Sequence, residues 1–326
     1  MTQSKTGILI TNIGTPNEPT PKAVKQYLAK FLHDKRVIEL PRIIWCPILH
    51  GIILNTRPKK SAKLYEKIWT KDGSPLLVHC KNISDKLQDK LKVPVELGMN
   101  YSDPSIPSAI DNLIEKGVSN IIALPLYPQY SATTSAATFD IIAKHFKNMR
   151  NIPSLSFIDS YSTCDPYIDA ITNLIKTYWD KKSKINHLLF SFHGIPQSFV
   201  DKGDKYAYFC QQTVDKITKK LQIPTDAWSI SFQSRLGFAK WLGPYTDNVL
   251  KELPEKGITD VDVICPGFAV DCLETLEEIN IRGKEIYQTA GGKTFNYINA
   301  LNASDLQINM LAKILNIAKA QPILDI

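Results

Sequence analysis

The chain has 326 residues, 44% of them hydrophobic, with 15 glycines and six scattered cysteines, which is the composition of an ordered globular protein long enough for two domains and excludes a disordered chain or a disulfide-framework scaffold. A formal charge of +7, from 39 basic and 32 acidic residues, is spread along the chain, and without a zinc-ligand cluster, basic helix or aromatic-glycine strand motif nucleic acid is not an expected partner. No N-terminal stretch has the layout of an export signal and no Cys-x-x-Cys pair occurs, so a reducing, cytoplasmic setting is expected.

In chain order, an apolar run closed by Gly-x-Pro comes first, G-I-L-I-T-N-I-G-T-P at 7–16. Helical stretches are expected at 21–31, 61–68 and 83–91. Between the first two lies 36–60, the most apolar stretch, yet Glu39, Pro41, Arg42, Pro47, His50 and Gly51 interrupt it far short of the roughly 18–20 apolar residues of a membrane span. Two readings stay open for it. It is either an amphipathic lip that rests on a membrane surface with Arg57, Lys59, Lys60 and Lys63 beside it, or a pair of buried helices. A strand at 95–101, a helix at 107–116, a strand at 121–130 and a helix at 136–146 complete the first half, and the inter-domain joint is expected near 150–153. The second half follows with a helix at 166–178, the strand H-L-L-F-S-F-H-G-I-P at 187–196, a helix at 206–221, a strand at 229–235, a helix at 247–252 and a strand at 261–271. A last helix at 304–318 carries Leu306, Met310, Leu311, Ile314 and Leu315 at helical spacing and is expected to pack as core.

The halves repeat one another. The run at 187–196 answers 7–16, 229–235 answers 95–101, and 261–271 answers 121–130. Apolar strands alternating with helices favour parallel sheets covered on both faces, whose ligands bind at the carboxyl ends of the strands. The expected fold is α/β, two similar doubly wound Rossmann-like domains at 1–152 and 153–326, with a cleft between them. The first half is longer by about forty residues between its first and third paired strands, a surplus that includes the insertion at 36–60.

The symmetry breaks at the strand ends. Ile13 stands where the second half has His193, and 124–130 stands where the second half has an acidic run beginning at Asp271. One apolar wall facing one wall of histidine and carboxylates suits a flat apolar ligand undergoing proton or metal chemistry at its centre. His193 can project from its turn toward a ligand, or be satisfied by neighbouring backbone; the repeat favours the first. Asp271, Glu274 and Glu278 fall three and four apart, which places three carboxylates on one helix face. Asp271 with Glu274 also has the form of a capping box, although capping leaves Glu278 without a task.

S-F-H-G-I-P at 191–196, L-P-L-Y-P-Q-Y-S at 124–131, F-Q-S-R-L-G with W-L-G-P-Y-T-D at 232–247, and P-G-F-A-V-D-C-L-E-T-L-E-E-I at 266–279 together resemble the bacterial type of ferrochelatase, from one end of the chain to the other. The resemblance implies the chelatase fold and insertion of Fe²⁺ into protoporphyrin IX to make haem. It implies that His193 and Glu274 are the metal and proton-handling pair, that Asp271 and Glu278 form a path for protons or metal, and that Tyr127, Trp241 and Phe268 line the porphyrin site with Ile13 on the opposite face of the macrocycle. Asn100 stands where some relatives have an arginine for the porphyrin or its propionates, so Arg42, Lys60 or Arg235 would anchor them here. No cysteine follows Cys272, so the C-terminal iron–sulfur cluster of some relatives is not expected. Fe²⁺ is a substrate, and no permanently bound cofactor is implied.

The chemistry explains these residue types. Metalation strips water from Fe²⁺ while two pyrrole protons leave the same ring centre; imidazole can take a proton near neutrality, and carboxylates offer oxygen ligands or a proton path. One histidine and one glutamate make a poor permanent site beside the three or four ligands of stored zinc. Two alternatives remain at this stage, a chelatase of similar fold for coproporphyrin or a more carboxylated tetrapyrrole, and a non-enzymatic porphyrin carrier.

Overall fold

The computed structural model describes residues 5–182, 185–235, 237 and 239–320. Its strands are short, and the central ones are rich in Ile, Leu and Phe and buried on both faces, as central parallel strands require. The first sheet holds β1 (Thr6–Asn12), β2 (Val95–Met99), β3 (Asn120–Pro125) and β4 (Ser154–Phe157) in the order β2-β1-β3-β4. The second holds β5 (His187–His193), β6 (Trp228–Gln233), β7 (Asp260–Ile264) and β8 (Thr294–Ile298) in the order β6-β5-β7-β8. Every pairing is parallel. Ile8, Leu9 and Ile10 at the centre of one sheet and Leu188, Leu189 and Phe190 at the centre of the other are wholly buried, each contributing about 1.5–3 kcal/mol of apolar transfer energy.

The register makes the repeat explicit. Ile8 pairs with Val95 and Ile122, and its counterpart Leu188 pairs with Trp228 and Asp262. β3 and β7 therefore correspond as expected, whereas β2 and β6 correspond one residue away from the sequence alignment, with Trp228 rather than Ser229 opposite Val95. A slip of one residue exchanges the two faces of a strand, so burial, not local resemblance, decides that register.

Among the described residues the chain forms two compact units, one comprising residues up to Tyr127, Ser131–Ser160 and those from Ile308 on, the other Pro128–Tyr130 with Tyr161–Gln307. The joint expected near 150–153 falls inside the first unit, because β4 hydrogen-bonds to β3 as an edge strand of the first sheet. The last helix, Asp305–Ala320, joins the first unit from Ile308 on.

Helices cover the sheets close to where periodicity places them. Pro21–Leu32 starts behind Thr20, whose side chain accepts from Ala23 N, with proline at the first position. Pro75–Leu91 begins eight residues before the expected 83 because Pro75 opens it and Leu76, Cys80, Ile83 and Leu87 continue one buried stripe. The inserted stretch forms Arg42–Ile48, a π-helical turn Leu49–Ile53, and Leu54–Ile68. Trp45, Leu49 and Leu54 of this stretch are buried, while Leu40, Ile43, Ile44 and Ile52 are exposed, Ile43 by 86%. No helix among the described residues is long and apolar enough to cross a membrane.

Candidate active site

In this strand order the chain winds outward in one direction, then in the other, and a crevice opens where the winding reverses, at the carboxyl ends of the first and third strands of each sheet. In the second sheet those ends belong to β5 and β7. His193 is the last residue of β5. Gly194 N donates to Gln233 O at 2.7 Å, and a Cβ on Gly194 would lie 2.8 Å from that carbonyl and 3.4 Å from Trp241, so only glycine lets the two strand ends close up. The His193 Nδ1 lies 2.6 Å from Gly194 O. A carbonyl only accepts, so Nδ1 carries the hydrogen and the neutral ring keeps its lone pair on Nε2. The Phe268 ring, just past β7, stands 6.5 Å from the imidazole.

The acidic run departs from the sequence expectation. It is not an α-helix begun by Asp271 but a π-helix, Glu274–Gly283, without a side-chain cap; π geometry is rare and often marks functional sites. Asp271 is buried and drawn into a clasp. Its Oδ1 accepts from Thr275 Oγ1 at 3.0 Å, Tyr297 OH at 2.7 Å and Ala300 N at 3.3 Å, and its Oδ2 from Asn302 Nδ2 at 2.6 Å. Those donors occupy the carboxylate, which neither caps the helix nor shares a free face with the glutamates.

Glu274 opens the π-helix and Glu278 lies within it. The Glu274 carboxylate, together with burial, pushes the Cys272 thiol well above its ordinary value, burial being the larger cause. Glu278 accepts from Ser234 N at 2.9 Å and from Ser234 Oγ, and pairs with Arg282 at 2.7 Å. Burial nevertheless holds its carboxyl above the ordinary range; Ser234, Arg282 and His193 pull it down, and Glu274 pushes it up. Among the described residues no group of three or more His, Cys, Asp or Glu side chains is arranged to hold a metal ion.

Sequence reasoning passes over Gln233. Buried at the end of β6, it accepts from Ser191 Oγ at 2.8 Å and from Cys265 Sγ at 3.6 Å, and donates to the backbone carbonyl of Glu274 at 2.7 Å. One amide thus ties β5, the loop after β7 and the start of the π-helix together. The only signal was a lone polar residue at an apolar strand end. Ser234, next in the chain, has φ +66°, a conformation costly for a non-glycine residue and held here by Glu278. Trp241 is half-buried beside Gly194. Arg235 is exposed and lies 4.6 Å above the Tyr245 ring.

Of the expected residues of the first unit, Ile13, Asn100 and Tyr127 stand just past the ends of its strands, while Arg42 and Lys60 lie on the inserted helices. Ile13, half-buried after β1, donates to Asn12 Oδ1 at 2.7 Å and accepts from Tyr101 N at 3.1 Å. Asn100 follows β2, its Oδ1 accepting from Thr138 Oγ1 at 3.1 Å while its buried Nδ2 has no protein partner. Tyr127 follows β3 and is half-buried. Arg42 donates to Ile38 O at 2.5 Å, and its buried Nε and Nη1 have no protein partner. Lys60 is exposed.

The ferrochelatase family model matches residues 5–318. A ferrochelatase of Vibrio atlanticus is 47% identical over 310 residues, covering 95% of this chain and 97% of its own, and one of Methylococcus capsulatus is 46% identical over 315 residues, covering 96% and 97%. Among solved structures, SirB from Bacillus subtilis with Fe³⁺ superposes with a TM-score of 0.58 at 12% identity, covering 97% of this chain and 96% of its own. CbiX, described as the terminal enzyme of sirohaem biosynthesis in denitrifying bacteria, gives 0.53 at 11% identity, covering 96% and 99%. These last two share the fold.

Proposed function

This chain belongs to the ferrochelatase family, a lyase that inserts ferrous iron into protoporphyrin to form haem, and we propose that His193 and Glu274 carry that step. The observation behind the assignment is the Nδ1 contact of His193 with Gly194 O, which leaves Nε2 as the basic atom at the crevice of the second sheet. Metalation releases two protons, one from each pyrrole N–H. Nε2 of His193 takes the first, and Glu274 offers an oxygen to the entering iron or takes the second. Glu278, held above the usual carboxylate range chiefly by burial, is the next acceptor outward. Asp271, bound by Thr275, Tyr297, Ala300 and Asn302, holds the loop in place. Gln233 is a positioning residue acting through the carbonyl of Glu274.

On the second unit Phe268, whose ring stands 6.5 Å from the His193 imidazole, and Trp241, beside Gly194, are proposed porphyrin contacts; Ile13, Tyr127 and Asn100 are the candidates that the first unit carries on its own strand ends. Arg42, with two unsatisfied guanidinium nitrogens, is favoured over Arg235 as propionate anchor, because Arg235 already lies over Tyr245. The exposed Leu40, Ile43, Ile44 and Ile52, with Lys59, Lys60 and Lys63 also exposed, fit a peripheral contact of a cytoplasmic protein with the inner face of the membrane.

The test is optical metalation by purified protein of protoporphyrin, coproporphyrin and sirohydrochlorin with Fe²⁺ or Zn²⁺. Multiple turnovers are expected on protoporphyrin, and His193→Ala and Glu274→Gln should each lower the rate by about 10²–10⁴-fold while porphyrin binding persists. Lost binding with an unchanged rate per bound porphyrin would overturn the assigned roles.

A further inference from the structure

On the first unit, two imidazoles from separate elements meet. His33 closes the helix Pro21–Leu32 and His50 lies in the π-helical turn Leu49–Ile53. Their Nε2 atoms are 2.8 Å apart and their ring centroids 5.1 Å, and both residues are exposed. The backbone on each side is tied down. His33 N donates to Ala29 O at 3.2 Å, Trp45 Nε1 donates to Leu32 O at 2.7 Å, and Asn55 donates to the carbonyls of His50 and Gly51 at 2.9 and 3.0 Å while accepting from Lys25 at 3.1 Å.

We infer that His33 and His50 together form a binding site for a divalent transition-metal ion of the imidazole-preferring class, such as Ni²⁺, Cu²⁺ or Zn²⁺. The metal–nitrogen distance of about 2.0–2.1 Å in a tetrahedral ion sets two nitrogens about 3.3 Å apart, so the exposed rings need to part by only about half an ångström. Without metal one Nε2–H donates to the other Nε2. With metal the donor ring carries its hydrogen on Nδ1, both Nε2 lone pairs face the ion, and water completes the coordination. Among the described residues no third His, Cys, Asp or Glu joins the pair, which makes the site labile and open to exchange. Occupied, it staples the end of the helix Pro21–Leu32 to the inserted lip.

The test titrates full-length, metal-free protein with Ni²⁺ by calorimetry, with Mg²⁺ as the hard-cation control. Wild type should take up an equivalent that His33→Gln and His50→Gln each bind about tenfold more weakly or not at all, with the double variant no worse than the weaker single and Cu²⁺ binding more tightly than Ni²⁺. His193→Ala should keep that equivalent. Unchanged affinity in either single variant, equal uptake of Mg²⁺, or loss of the equivalent in His193→Ala would overturn the inference. Both side chains are exposed, so the variants should fold, and wild-type circular dichroism with wild-type metalation rates at buffered trace metal checks this.

Discussion

At the end of β1, Tyr101 N donates to Ile13 O and Thr15 N to Ser102 Oγ at 3.1 Å each; at the end of β5, Gly194 N donates to Gln233 O at 2.7 Å. Both turns place a glycine against the end of the neighbouring strand, and in both sheets the third strand leads into a π-helix, Ala132–Ala136 after β3 and Glu274–Gly283 after β7. The frame is therefore common to the two sheets. The side chains mounted on it are not. The first π-helix reads A-T-T-S-A and carries no charge, whereas the second opens with Glu274 and continues through Glu277 and Glu278. The comparison teaches that π geometry after the third strand belongs to the fold, while the proposed proton and metal chemistry rests on one histidine and on glutamates that only the second π-helix carries.

The sharpest way to break that comparison is to move the imidazole. Adding Ile13→His to His193→Ala should leave metalation at the level of the single variant, about 10²–10⁴-fold below wild type, because the first π-helix offers no carboxylate; recovery to within tenfold of wild type in the optical assay would mean that the first sheet is equally equipped. The two glycines give a smaller contrast. Gly14 has φ +100° and a Cβ there would meet Ser102 Oγ at 2.5 Å, so Gly14→Ala should cost about 1–3 kcal/mol of stability in urea unfolding. Gly194 lacks that backbone constraint, but its Cβ would press the Gln233 carbonyl and displace His193, so Gly194→Ala should lower turnover more than it lowers the unfolding midpoint. The reverse ranking would refute the distinction.

The smallest effect is electrostatic. Burial keeps the Glu278 carboxyl above its ordinary value of 4.5, so the folded state holds this proton more tightly than the unfolded chain does. The resulting stabilisation is complete below pH 4.5 and disappears as pH rises through the raised folded value. Unfolding free energies of wild type minus Glu278→Gln should therefore fall with rising pH above 4.5, and a rising difference would reverse the assigned sign.

Much of this arrangement is legible along the chain. The positions of β1 and β5 follow from apolar runs closed by Gly-x-Pro, helix positions from Pro at first turns and stripes such as Ile83 and Leu87, and the special character of His193 from its mismatch with Ile13 in the repeat, whereas the edge strands β4 and β8 carry no such signal. The acidic run is legible as composition but not as geometry. A spacing of three and four reads as one α-helical face, yet Asp271 turns away because Tyr297, Ala300 and Asn302, lying 26 to 31 positions further on, supply its donors.

By itself the sequence determined the alternation of strands and helices, the doubling of the fold and the residue types at the strand ends, because periodicity and turn chemistry act over a few neighbouring residues. Only the tertiary structure decided the register of β6 on β5, the membership of β4 and the last helix in the first unit, the bridge of Gln233 to Glu274, the clasp on Asp271 and the meeting of His33 with His50. Each of these joins residues that are not neighbours in the chain, and for the buried Gln233 and Asp271 the partner is the donor or acceptor that a buried polar group requires and only the packed core brings within reach.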